Sequence, residues 1–409
     1  MSYWKGIKMN DIVEGALSDL VVLDLTRVVA GPYCGAVLGD MGAHVIKIER
    51  PEKGDDARSY APHINGESAY YANLNRNKKG ITLNLKSNEG KEILKKLVKK
   101  ADIIIENFRP GVMDRLGLGY DKLKEINPRL IYGAVSGYGS YGKYASRPGY
   151  DILSQAMGGL MSITGQKGDG PTRTGCAMGD ILGGLNLSIG ILAAIHSREI
   201  TGKGQRVDVS LVDATVASLE NAFTRYFFQG LIPIRNGNSY ASISPYNSFQ
   251  ARDGQVIIAC GNQKLFETLA KDILHNEELI TDKRFLTIPL RVEHNEEIDQ
   301  IITEWTKEHT VDEIVETCLS KKVPAGPVYS VPDIVKDDHI TKDREMFVEL
   351  EHPIIGNMKV NGTPIKMMGT PYKNWKPAPS LGKDNHEILK NILNYSEEEI
   401  KDFEKNSII

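Results

Sequence analysis

The sequence predicts an α/β protein, a mostly parallel sheet flanked by helices, with a smaller α+β domain attached. Three observations carry that expectation. Short apolar runs alternate with helical stretches through roughly the first 230 residues. With 41 % hydrophobic and 25 % charged residues, a chain of 409 can bury a sizeable core without disulfide or metal staples. Near residue 230 a stretch rich in Gly, Pro, Asn and Ser interrupts the pattern. The expected division is a large domain over 1–229, a linker and small domain over 230–335, and a segment over 336–409 that returns to the large domain.

The apolar run 21–25 reads as a buried strand. Gly31 and Pro32 lead into a helix over 33–41, since Pro is tolerated in a first helical turn, and Gly42 ends it. Residues 44–49 form the next strand, and the short crossover makes the pair parallel. A strand over 81–85 follows, then a helix capped by Asn88 and running to Lys100. That helix has Glu89 and Glu92 early and lysines late, which matches the helix dipole. Residues 102–106 and 130–135 read as strands, separated by a helical stretch over 112–126 that is interrupted near 117–119. A long helix over 180–198 contains Gly183, Gly184, Gly190, Ala193 and Ala194, small residues that predict close packing on a neighbour. A strand over 206–211 and a helix over 213–228 complete the first part.

After the linker at 232–244, residues 246–261 read as a hairpin turning at Arg252-Asp253-Gly254. Helices are expected over 263–274, 294–308 and 311–321. Strand-like runs at 346–351 and 358–360 precede a helix near 386–393, and residues 396–409 read as a charged surface helix that frays.

Composition excludes several functions. Fifty Lys and Arg against fifty-three Asp and Glu leave a formal charge of -3, which argues against a dedicated nucleic-acid binder. Cys34, Cys176, Cys260 and Cys318 are far apart, with no CxxC pair and no Cys/His cluster, so neither a disulfide framework nor a metal site is expected. Residues 1–19 carry no apolar core of a secretory signal, and the most apolar stretch, 181–195, reads as too short to span a bilayer. The expected setting is the cytoplasm, with no membrane partner.

A GxGxxG pattern at 137–142 follows a strand, but Pro148 and Gly149 come too soon for the helix that a dinucleotide site needs. The loop still belongs to the C-terminal edge of the sheet, where open parallel sheets bind ligands. The first strand-to-helix turn, 26–32, lies at the same edge, and its small residues let a ligand approach the backbone. Arg50, Arg76, Lys78, Lys79, Arg109 and Arg115 recur at strand ends, and their convergence there would suit a phosphorylated nucleotide. Two carboxylates stand out. Asp151 follows Pro148-Gly149-Tyr150, and Asp180 follows a glycine-rich stretch and opens the long helix. The plain reading of Asp180 is a helix N-cap. The functional one is a carboxylate kept charged by the helix N-terminus but poorly solvated, and so able to act as a nucleophile.

Taken in order, the stretches 23–32, 42–50, 75–79, 106–111, Arg115, 149–151, 179–180, 201–205, 323–328 and 351–353 resemble the class III (family III) CoA-transferases, which include formyl-CoA:oxalate and carnitine CoA-transferases. The resemblance covers nearly the whole chain. It implies a Rossmann-like large domain formed by both chain ends, a small domain, and an interlocked homodimer. It implies acyl-CoA and a small carboxylic acid as substrates, with no permanently bound cofactor and coenzyme A as a substrate moiety. Asp180 takes the family's nucleophile position, with Asp151 and Gly261 as possible catalytic support. Coenzyme A contacts fall on Val29, Ala30, Arg50, Leu74, Asn75, Lys78, Asn107 and Arg115.

Two departures accompany the match. Val29 stands where one member has Gln, so a polar contact to substrate is missing there, and the family's mobile glycine loop corresponds to 259–263, which has only Gly261. The resemblance leans toward members that use succinyl-CoA with small dicarboxylic acids. One alternative is an α-methylacyl-CoA racemase-like isomerase, whose His would stand where this chain has Tyr150, a poor base at neutral pH. Another is a non-catalytic CoA-binding protein, against which the presence of Asp180 stands.

Overall fold

The computed structural model describes residues 15–409. Most of the stretch read for a secretory signal lies outside the described residues. The chain forms two compact units: Met1–Leu160, Thr174–Thr224 and Lys342–Ile409 in one, Met161–Arg173 and Arg225–Thr341 in the other.

The main sheet of the first unit has six strands, β1 (Val21–Asp24), β2 (His44–Glu49), β3 (Lys78–Thr82), β4 (Ile103–Glu106), β5 (Ile131–Ser136) and β6 (Arg206–Ser210). They lie in the order β3-β2-β1-β4-β5-β6, and every neighbouring pair is parallel. The order reverses between β1 and β4, and in such sheets the crevice beyond the strand C-termini at that point is the ligand site. Val22, Leu23, Ile103, Ile104 and Ile105 are fully buried, as central strands covered on both faces require.

The helices that matter to the site are α1 (Ala30–Asp40), α2 (Ala69–Leu74), α3 (Asn88–Val98), α4 (Asp151–Met157), α5 (Met178–Thr201) and α6 (Leu211–Ala217). On one face Cys34 and Leu38 of α1 and Leu187, Ile191 and Ala194 of α5 share a core with Val22, Ile103 and Ile105. The glycines of α5 allow this approach. A Cβ on Gly184 would stand 2.5 Å from the Ala30 carbonyl oxygen, and one on Gly183 would stand 2.4 Å from a Leu211 methyl. On the other face Ile93, Leu94 and Leu97 of α3 pack with Leu23, Ile46 and Ile104, together with Ile388, Leu389, Ile392, Ile400 and Ile408 from the chain's end.

Several sequence expectations change. Ser87, not Asn88, caps α3, its hydroxyl accepting from the Gly90 N–H. The third strand begins at Lys78 rather than 81, because Lys78 finds a buried counter-charge and stays inside the sheet. The expected helix 213–228 splits into α6 and Glu220–Gln229. The apolar stretch at 181–195 belongs to a helix of 24 residues, long and apolar enough to cross a membrane by length and composition. Its stripe of buried Gly183, Gly184, Leu187, Ile191 and Ala194 against the sheet makes it a core helix. The tail does not fray. Helix Glu397–Lys405 is held by a reciprocal Ser396/Glu399 capping box, and Ile400 is fully buried.

The second unit carries β7 (Tyr246–Gln250), β8 (Gln255–Ala259) and β9 (Ala325–Pro327), antiparallel in the order β9-β8-β7. The hairpin matches expectation; β9 was not anticipated, because its Ala-Gly-Pro sequence lacks strand character, and it survives as an edge strand where Pro is allowed. Phe249, Val256 and Ile258 pack there against Phe266, Ile298, Ile302 and Ile314 from the helices.

Candidate active site

The site begins at the C-terminal end of β1. Asp24 is fully buried and pairs with Lys78 at 2.8 Å. Burial pushes its carboxyl pKa up, but the Lys78 and Lys47 ammonium groups outweigh that and hold it below the usual range. Beyond Leu25, the backbone of Thr26, Arg27 and Val28 is tied by side chains. The Thr26 N–H donates to Asp24 at 2.9 Å, and its carbonyl accepts from Lys47. Asn107, just past β4, takes the Arg27 N–H at 2.9 Å and donates to the Arg27 carbonyl at 2.7 Å. The Val28 N–H donates to Asp55 at 3.0 Å. Val29 and Ala30 then start α1, both buried.

Across the sheet, α5 begins without a capping side chain of its own, since Ala177 is its N-cap. Asp151, the first residue of α4, fills that role from outside. One of its carboxylate oxygens accepts the Gly179 N–H at 2.8 Å and lies 3.4 Å from the Asp180 nitrogen. The contact depends on glycine, because a Cβ at Gly179 would fall 1.9 Å from the Ser154 hydroxyl. Gln155, fully buried, fixes the geometry. Its amide donates to the other Asp151 oxygen at 2.8 Å and to the Cys176 carbonyl at 3.3 Å, and it accepts from the Thr174 N–H and hydroxyl at 3.0 and 3.2 Å. All four hydrogen-bonding positions of the amide are used.

Asp180 therefore lies in the first turn of α5, not at the cap. Among the described residues no hydrogen-bond donor or ion-pair partner holds its carboxylate. Burial first, and the neighbouring charge of Asp151 second, raise its pKa to about 7. The helix N-terminus favours the anion, but these two effects prevail. Tyr70 on α2 belongs to the same surroundings, its hydroxyl pKa raised by burial and then by the charge of Asp180. Its ring centroid lies 5.8 Å from that of Tyr60. Tyr150 is 68 % exposed.

The other sequence candidates divide. Arg50, at the end of β2, reaches Asp56 at 2.7 Å and remains half-exposed at the sheet's C-terminal edge. Asn107 is at that edge too, and serves the turn. Leu74 and Asn75 end α2 and are buried. Arg115 ends the short helix Val112–Arg115. Lys78 is not available to a phosphate: its ammonium is buried and gives its three protons to Asp24, the Pro32 carbonyl and Asn75. The expected convergence of Arg76, Lys78 and Lys79 with the other cations fails because these residues enter β3 rather than leave a strand. Arg76 instead pairs with buried Asp40, and Lys79 with Glu387. Gly261 lies in the second unit just before Asn262, which caps helix Gln263–Thr268. A Cβ there would meet nothing within 4 Å, so no packing requires glycine. The 137–142 stretch forms a loop, and Gly137 and Gly149 touch so closely that a Cβ on either would sit 2.6 or 2.5 Å from the other's Cα.

Sequence reasoning missed Gln155, Tyr60 and Tyr70. The spacing of Gln155 four residues after Asp151 on a helix was a usable signal. The tyrosines offered none, since their neighbours come from distant parts of the chain.

The description "CoA-transferase family III" matches residues 17–385. The chain is 36 % identical to the human "Succinyl-CoA:glutarate CoA-transferase", over 97 % of this chain and 91 % of that protein. It is 38 % identical to the Haloarcula marismortui "Succinyl-CoA:mesaconate CoA-transferase", over 92 % and 96 %. A crystal structure of a CAIB/BAIF family protein from Brucella suis superposes with a TM-score of 0.81 at 37 % identity, covering 92 % of this chain and 99 % of that one. With a doubly wound sheet, a carboxylate at the mouth of a helix and full-length similarity of this kind, the chain belongs to CoA-transferase family III and is an acyl-CoA:carboxylate CoA-transferase.

Proposed function

We propose that the protein moves coenzyme A from a short acyl-CoA, with succinyl-CoA the favoured donor, to a small dicarboxylic acid through covalent intermediates on Asp180. The observation that carries this reading is a poorly solvated carboxylate to which no described residue donates, on the helix whose Gly184 meets the Ala30 carbonyl at the first turn. An Asp180 oxygen attacks the thioester carbonyl and expels the CoA thiolate, leaving a mixed anhydride. The thiolate attacks the aspartyl carbonyl and releases the donor acid, leaving an aspartyl-CoA thioester. The acceptor carboxylate attacks that carbonyl and again expels the thiolate. Attack of the thiolate on the acceptor carbonyl then yields the new acyl-CoA and restores Asp180. Thioester energy is kept throughout, and removal of water from a weak nucleophile is the protein's main contribution. The favoured donor rests on the printed activities of the relatives.

The test is trapping during turnover. Borohydride or hydroxylamine should label the peptide that contains Asp180, and Asp180→Ala should abolish transfer while CoA binding persists. Near-normal turnover by Asp180→Ala would sink the mechanism.

We also read the large unit as Rossmann-like and the molecule as an interlocked homodimer in the cytoplasm. Exposed Tyr226, Phe227, Phe228, Ile232 and Ile234, an apolar run in need of cover, support the dimer. The four free cysteines fit a reducing compartment. Light scattering should give twice the 45.3 kDa chain mass; a single-chain mass at micromolar concentration would exclude the dimer.

A further inference from the structure

The turn at 26–28 has an unusual backbone. Val28 has φ of 68°, in the left-handed region where a β-branched residue is strained. Five of the six backbone N–H and C=O groups of Thr26, Arg27 and Val28 are bonded to side chains of Asp24, Lys47, Asn107 and Asp55. Asp55 has the central place among these. One oxygen accepts the Val28 and Ala57 N–H groups at 3.0 and 2.9 Å, and the other pairs with fully buried Lys47 at 2.8 Å. Its own N–H is fixed by Glu49 at 2.7 Å, and Glu49 is gripped by Arg58 and the Tyr71 hydroxyl. Neither Asp55 nor Lys47 faces solvent as a ligand contact: both side chains are wholly inaccessible.

We propose that Asp55, locked by Lys47, is a positioning residue that holds Val28 in its strained conformation and so presents the 27–30 turn, already shaped, to the coenzyme. The inference deepens the coenzyme reading above and rests on it. It also assigns a way of binding. With the N–H groups of Thr26, Arg27 and Val28 all consumed by protein acceptors, these three are not donors to a pyrophosphate, as the first turn of a dinucleotide-binding fold would be. What the turn leaves open to the coenzyme is half-buried Val28, flanked by the Arg27 guanidinium.

The test separates this idea from the reading on which it rests. Hydrogen exchange of a peptide spanning 25–30, measured by mass spectrometry without ligand, should be slow in the wild type and at least tenfold faster in Asp55→Asn. Fast exchange in the wild type would overturn the proposal whatever the enzyme's substrate. In kinetics with succinyl-CoA, Asp55→Asn should raise the KM for acyl-CoA at least tenfold and change kcat less than threefold. In a Val28→Gly background the same substitution should raise KM less than threefold, because glycine reaches a positive φ unaided. Equal effects in both backgrounds, or a loss confined to kcat, would overturn it. If the exchange result holds but the wild type neither binds nor turns over acyl-CoA, the coenzyme reading fails instead.

Discussion

A single carboxyl sets the pH behaviour. With the Asp180 pKa at about 7, the anion that the proposed mechanism needs is the minor form in acid, and kcat/KM should rise with pH and level off above neutrality. Asp151→Asn removes the like charge but leaves an amide oxygen to accept the Gly179 N–H, so its profile should break at lower pH than the wild type. A profile that moves to higher pH, or does not move, would show that Asp151 does not act on Asp180 through charge. The same raised pKa costs stability: above the unfolded-state value of 3.8 the folded carboxyl resists ionisation, so its contribution is best in acid and is lost as pH rises through about 7. Asp180 and Asp151 were legible as candidates because one follows a glycine-rich stretch and the other follows Pro148-Gly149-Tyr150. The partners of Lys78 were not, since nothing local in a basic run reveals an aspartate 54 positions away in sequence.

At the level of elements, α5 carries Asp180 and α1 starts at the first turn, and the two meet through glycine. Gly184→Val should destabilise the protein by roughly 1–3 kcal/mol, since even its Cβ would crowd the Ala30 carbonyl. It should also raise the KM for acyl-CoA by moving that turn, and urea unfolding with steady-state kinetics checks both. An unchanged midpoint and KM would mean that the helix contact is softer than its geometry suggests. Small residues along 180–198 announced this packing before any coordinates, and alternation announced most of the parallel strands. Strand β9 and the start of β3 were hidden for a common reason: backbone pairing and a buried counter-ion override local propensity.

For the whole molecule, the notable fact is that the chain's end completes the core of its beginning. Ile400 and Ile408 are buried with Leu23 and Ile104, and the Asn84 N–H donates to the Ile408 carbonyl at 2.8 Å. Ile400→Ala should cost about 2–5 kcal/mol. Truncation after Tyr395 should cost more, a large share of the 5–15 kcal/mol typical of a folded domain; soluble, cooperatively unfolding protein from the truncation would contradict this. The last helix read as a charged surface helix, because its single buried Ile400 was outweighed in the pattern by the residues around it. There is a consequence for biosynthesis. A ribosome that has translated through β6 has made every strand of the sheet, yet the isoleucines that seal one face, from Ile388 to Ile408, emerge from the exit tunnel long after it. The nascent chain must therefore keep an unsealed, greasy surface from its neighbours until those isoleucines arrive.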